Sequence, residues 1–109
     1  MPFDFNRETL KLISDRFKTL AEPMRLELLH ALKAGEKTVS ELVEETGAGQ
    51  ANVSKHLGLL HRHGWVERRK KGLNVYYRIC DPMVFQLCEL VCASIDAEVE
   101  SRRRTLRRG

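Results

Sequence analysis

The sequence predicts a mainly α-helical single domain that carries one small β-hairpin. Apolar residues recur at helical spacing from Thr9 to Arg62 and again after Pro82, whereas strict alternation is confined to the stretch between Trp65 and Ile79. The chain has 109 residues, enough for one core and not for two. Charged residues reach 31% against 6% aromatic, which fits a helix-rich fold with a heavily solvated surface.

The first helix is expected from Thr9 to Leu20, with Leu10, Ile13, Phe17 and Leu20 at helical spacing. Glu22-Pro23 interrupts it, and Pro23 suits the first turn of a second helix, where a missing N–H does no harm. That helix carries Met24, Leu26, Leu28, Leu29 and Leu32 and stops at Gly35. Thr38-Val-Ser-Glu41 has the spacing of a capping box and opens a short helix that buries Val39, Leu42 and Val43 and ends at Gly47. After the tight turn at Ala48-Gly49 a further helix runs from about Gln50 to Arg62, with Val53, Leu57 and Leu60 inward. Two short helices joined by a glycine-containing turn form a helix-turn-helix unit.

Beyond Gly64 the period changes. Val75, Tyr77 and Ile79 alternate with Asn74, Tyr76 and Arg78, and a basic segment ending at Gly72 precedes them. The two strands make a hairpin, so the whole reads as a winged helix-turn-helix of about five helices and a two-stranded wing. From Pro82 a last helix is expected to about Glu100. Met83, Val84, Phe85, Leu87, Leu90, Val91 and Ile95 make it apolar nearly all round, more than so small a domain can cover. Dimerisation through the terminal helices is the expected remedy. Residues 1–101 are expected to form a single winged helix-turn-helix domain, the fold unit of DNA binding and of dimerisation. Residues 102–109 are expected to be a disordered basic tail, or else cations complementing a helix dipole.

Charge is unevenly placed. Residues 1–64 hold nine Lys/Arg and nine Asp/Glu, whereas residues 65–109 hold ten against six, so the net +4 belongs to the second part. A local basic excess points to a polyanionic partner or to a solvated charge run. On the second helix of the unit, Gln50, Asn52, Ser54, Lys55 and His56 lie between the buried positions. Short polar groups at the start of a helix are what major-groove reading needs: Gln50 and Asn52 suit adenine edges, Ser54 and Lys55 the backbone. In the wing, Arg68, Arg69, Lys70 and Lys71 suit phosphates or a narrow minor groove, or simply keep a sheet edge from aggregating.

Three runs carry a family resemblance: Leu20-Ala-Glu-Pro-Met-Arg-Leu-Glu-Leu-Leu, Val39-Ser-Glu-Leu-Val and Gln50-Ala-Asn-Val-Ser-Lys-His-Leu-Gly-Leu-Leu. With Gly64-Trp-Val-Glu-Arg-Arg-Lys-Lys-Gly they resemble the ArsR/SmtB family of bacterial repressors over roughly residues 8–95. The resemblance implies a homodimer on an inverted-repeat operator of double-stranded DNA, released by a metal, metalloid or thiol-reactive effector. The family's sensing sites do not carry over. A Cys-x-Cys pair on the first helix of the unit is replaced by Glu41-Leu-Val-Glu-Glu. The zinc-type site keeps Asp81 but lacks its histidines, since His30, His56, His61 and His63 lie elsewhere.

The cysteines remain. Cys88 and Cys92 are one turn apart on one helical face, and Cys80 precedes that helix. Two thiolates are too few for tetrahedral zinc, while three would suit arsenite or another soft ion. The alternative is that they are small buried hydrophobes. Neither a nucleophile–base–acid trio nor a phosphate loop is present, so an enzyme is not expected. The rivals are a constitutive DNA-binding regulator without a ligand and a winged helix used for protein or RNA contacts. Charged residues throughout 1–20 leave no place for a signal-peptide core, and no stretch is long and apolar enough for a membrane span, so a cytoplasmic protein is expected.

Overall fold

The computed structural model describes residues 2–108. Among them the chain forms α1 (Arg7–Leu20), α2 (Pro23–Leu32), β1 (Lys37–Thr38), α3 (Val39–Thr46), α4 (Gln50–Arg62), β2 (Val66–Lys71), β3 (Asn74–Ile79) and α5 (Met83–Arg108). The winged helix-turn-helix architecture expected from the sequence is present. Helix α1 starts at Arg7, two residues earlier than expected, because Asn6 caps it: the Asn6 side chain accepts from the Thr9 N–H at 2.9 Å. Pro23 stands at the first turn of α2, with Glu22 as its cap.

The core is built where α2, α3 and α4 meet. Leu28, Leu29, Leu32, Leu42, Val53, Leu57 and Leu60 are buried there, closed at one end by Trp65 and Val66 and on the sheet side by Tyr77. Strand β3 follows the predicted alternation except at Tyr76: Tyr77 is buried, Val75 and Ile79 half-buried, Asn74 and Arg78 exposed, but Tyr76, with Arg69 over its ring, is half-buried too. Gly72, at φ +62°, occupies the first position of the two-residue turn between Lys71 and Asn74, where an L side chain would be strained. The sheet has three strands rather than two, in the order β1-β3-β2, all antiparallel. Strand β1 has no signature in the sequence because two residues are too short to show alternation. Lys37 and Thr38 pair with Tyr77 and Tyr76, which ties the start of the helix-turn-helix to the base of the wing.

Helix α5 departs most from expectation. It runs unbroken to Arg108 instead of ending near Glu100, so the segment 102–108 is helical and not a disordered tail; Gly109 lies outside the described residues. Ion pairs one turn apart, Arg102 with Glu98 and Arg104 with Glu100, support the extension, and Arg107 and Arg108 at its end complement the helix dipole. Twenty-six residues make a rod of about 39 Å. It gives the molecule a longest dimension of 62 Å against 38 and 21 Å. The start of α5 is anchored by Asp81, which caps Met83 N–H at 3.0 Å with one oxygen and receives Arg16 at 2.7 Å with the other. Arg16 also lies 4.4 Å above the Trp65 ring and donates to the His63 carbonyl. One α1 side chain thus gathers the end of α4, the wing base and α5.

Candidate nucleic-acid interface

The helix-turn-helix is held at its entrance by the predicted capping box. The Thr38 hydroxyl accepts from the Glu41 N–H at 3.2 Å, while the Glu41 carboxylate accepts from the Thr38 N–H at 3.0 Å. That backbone hydrogen bond, with the Thr38 hydroxyl and then Lys37 charge adding to it, holds the Glu41 carboxyl below its usual range. Gly47 ends α3 in the left-handed region at φ +73°, and its N–H returns to the Val43 carbonyl. Gly49 then opens α4.

The opening of α4 differs from every other helix start among the described residues. Asn6, Glu22, Thr38 and Asp81 supply side-chain caps to α1, α2, α3 and α5. Gly49 has no side chain to give, and no acidic residue stands in the first turn of α4. Its N–H groups are therefore free for an anion from outside, in the field of the helix dipole. Around this opening Gln50, Asn52, Ser54 and Lys55 are all exposed, as expected from their places between the buried positions.

His56, expected among these DNA-facing residues, points the other way. It is only 7% exposed and faces inward with Val53, Leu57 and Leu60. The pattern 53, 56, 57, 60 is the buried stripe of a helix, a signal present in the sequence but overridden there by the polarity of histidine. Two polar partners make its burial tolerable: Arg25 at 3.2 Å from Nδ1 and Glu22 at 3.8 Å from Nε2. Arg25 belongs to this arrangement too, and nothing but its place in the Leu20–Leu29 run marks it in the sequence.

The four wing cations are exposed, but they do not act as one tip. Strand alternation sends Arg68 and Lys70 to one face and Arg69 and Lys71 to the other. Arg69 is already engaged, with Glu36 at 2.5 Å and with the Tyr76 ring. Among the described residues Arg68, Lys70 and Lys71 have no carboxylate partner, so their charge is available to phosphates.

The three cysteines are reduced and do not converge. The Glu67 carboxylate beside Cys80, at the exit of β3, followed by desolvation and the charge of Asp81, pushes that cysteine's thiol above the ordinary range. Cys88 and Cys92 instead line a groove of about 550 Å³ between α5 and the junction of α1 and α2, with Phe17, Leu20, Leu26, Val84, Leu87 and Val91. The turn at Asp81-Pro82 separates the two locations. Among the described residues no group of three or more Cys, His, Asp or Glu is placed to hold a metal ion, so a three-cysteine site within one chain is not formed. No helix among them is long and apolar enough to cross a membrane.

Comparison with known proteins agrees with this geometry. The model of the bacterial regulatory protein family arsR matches residues 22–68, from the start of α2 into β2. A "Probable mercury resistance operon repressor" of Streptomyces lividans is 41% identical over 81 residues, 73% of this chain and 65% of the relative, so the chain spans just under two thirds of that protein. A biofilm growth-associated repressor of Agrobacterium fabrum is 34% identical over 84 residues, covering 77% of this chain and 72% of the relative. Among solved structures, a homodimeric winged helix-turn-helix DNA-binding domain from Mycobacterium bovis superposes with a TM-score of 0.70 at 33% identity, covering 88% of this chain and 91% of that one. These relatives are regulators, not enzymes. This chain belongs to the ArsR family of bacterial regulatory proteins.

Proposed function

We propose that the protein is a transcriptional repressor that binds double-stranded operator DNA as a homodimer on an inverted repeat. The observation that carries this is the face of α4: an uncapped N-terminus ringed by exposed Gln50, Asn52, Ser54 and Lys55, behind a glycine turn. Such a helix start places amide donors at a phosphate and short side chains at base edges. The wing supplies Arg68, Lys70 and Lys71 to the adjoining backbone. Support for the dimer comes from the apolar surface that one chain leaves in water, Leu10 and Phe17 on α1 with Leu90, Val91, Ile95 and Val99 on α5. The Mycobacterium bovis relative is homodimeric.

The effector we assign is a soft metal ion, arsenite or a thiol-reactive compound acting at Cys88 and Cys92. Both sulfurs open onto a groove walled by α1 and α5, the helices proposed to form the dimer. Two sulfurs can grip a soft ion that accepts linear coordination; arsenite would draw its third sulfur from the partner subunit or from a free thiol. The Streptomyces relative is named for mercury resistance. Cys80 has no part in this reading.

Fluorescence anisotropy on duplex DNA from upstream of the protein's own gene tests both statements. The expected result is tight, salt-steep binding, about a thousandfold or more above a scrambled duplex. Mercuric ion or arsenite added to the complex should release it, and release should vanish in Cys88→Ser/Cys92→Ser protein that still binds DNA. Equal affinity for both duplexes would refute sequence-specific repression. A complex indifferent to both ions would leave a constitutive regulator.

A further inference from the structure

The helix that carries the proposed DNA-reading face turns one polar side chain the other way. His56 lies on the inner stripe of α4 with its Nδ1 3.2 Å from Arg25 Nη1. A guanidinium can only donate, so Nδ1 accepts and the ring carries its proton on Nε2, toward the Glu22 carboxylate. The rest of the Arg25 fork is spent on α1: Nε donates to the Thr19 carbonyl and Nη2 to the Lys18 carbonyl. Positive charge at these last-turn carbonyls also complements the α1 dipole. One planar group therefore joins the end of α1, the start of α2 and the second turn of α4.

We propose that the Arg25–His56 contact is a positioning joint that fixes the rotation of α4 about its own axis, and thereby aims Gln50, Asn52 and Ser54. The apolar stripe alone does not fix that angle. Val53, Leu57 and Leu60 hold α4 to the core by forces that are non-directional and tolerate small rotations. A hydrogen bond weakens steeply off its axis, and base readout needs side chains placed within about half an ångström. His56 is two residues from Ser54 and less than two turns from Gln50, so an error in rotation at the joint passes undiminished to the reading face. The same α1 turn that supplies the carbonyls lines, through Leu20, the groove holding Cys88 and Cys92. The joint thus stands between that groove and α4.

The proposal rests on α4 being the reading helix, and two readouts separate the claims. His56→Leu keeps the core filled but removes the acceptor; His56→Asn returns an amide oxygen close to the place of Nδ1. In DNA-free protein, exchange of the hydrogen-bonded amides from Val53 to Leu57 in α4 should quicken about tenfold in His56→Leu and recover in His56→Asn. In anisotropy, His56→Leu should lower the operator-to-scrambled affinity ratio at least about tenfold while leaving scrambled-duplex affinity and its salt slope within about twofold. His56→Asn should restore the ratio to within about threefold of wild type. Unchanged exchange and ratio in His56→Leu, or an Asn variant as impaired as the Leu variant, would overturn the joint. A wild-type protein with no operator preference would sink the DNA reading instead, and the exchange data would then decide the joint alone.

Discussion

Helices α4 and α5 are both amphipathic in outline, yet they end in opposite conditions. Helix α4 buries Val53, His56, Leu57 and Leu60 and offers water a polar, uncapped beginning. Helix α5 is twice as long and buries only Val84, leaving Leu90, Val91, Ile95 and Val99 exposed. The first surface is complete as protein and leaves only its helix-start amides without a side-chain partner. The second is incomplete as protein and lacks an apolar partner. In a chain of this size the two deficits point to two different partners, a polyanion for one face and a second subunit for the other.

The strongest way to break that contrast is to make the α5 surface polar. Val91→Glu with Ile95→Glu should leave the fold intact, because both side chains stand more than half exposed in the single chain. It should turn the dimer into a monomer in sedimentation velocity and lower operator affinity by about a hundredfold or more, since the two half-sites would no longer be bound as one unit. A dimer that survives both charges would mean that α1 alone carries the association.

Substitutions on α4 should do the reverse, sparing the dimer and harming DNA binding. Gln50→Ala is expected to lose about 1–3 kcal/mol of discrimination at one base pair, read by competition among operator variants. Lys55→Ala should weaken all duplexes alike and reduce the salt slope by about 1. Unchanged affinity in both variants would mean that a different surface reads DNA.

Within the wing the structure divides cations that the sequence presents as one block. Lys70→Ala should weaken binding more than Arg69→Ala, because Arg69 is already committed to Glu36. Equal losses in a salt-titrated binding series would show that DNA draws Arg69 out of its ion pair.

The smallest effect is expected at the entrance of α3. Thr38→Ala should cost about 1 kcal/mol of stability in urea unfolding. The Glu41 carboxyl is held below its usual range, so its contribution to stability is present above the unfolded-state value and is lost as pH falls through the lower folded value. The difference in stability between wild type and Glu41→Gln should therefore shrink on acidification; a difference that stays constant down to that range would exclude the capping carboxylate as its source.

The helix order, the capping box at Thr38 and Glu41, the glycine turns and the alternating strand of the wing are all legible in the sequence. These depend on local geometry: a period of 3.6 or 2, a side chain three residues from an N–H, a left-handed turn that glycine adopts without strain. Tertiary packing sets the direction of His56, because a buried polar side chain is acceptable only where a partner waits, and Arg25 lies 31 residues away. It also decided the pairing of Arg69 with Glu36, the two-residue strand β1, and the separation of Cys80 from Cys88 and Cys92. The length of α5 belongs with these. Composition marks 102–108 as a charge run, but whether such a run frays or continues a helix depends on the ion pairs that Glu98 and Glu100 make with it and on the long helix it extends, which has already met the cost of nucleation.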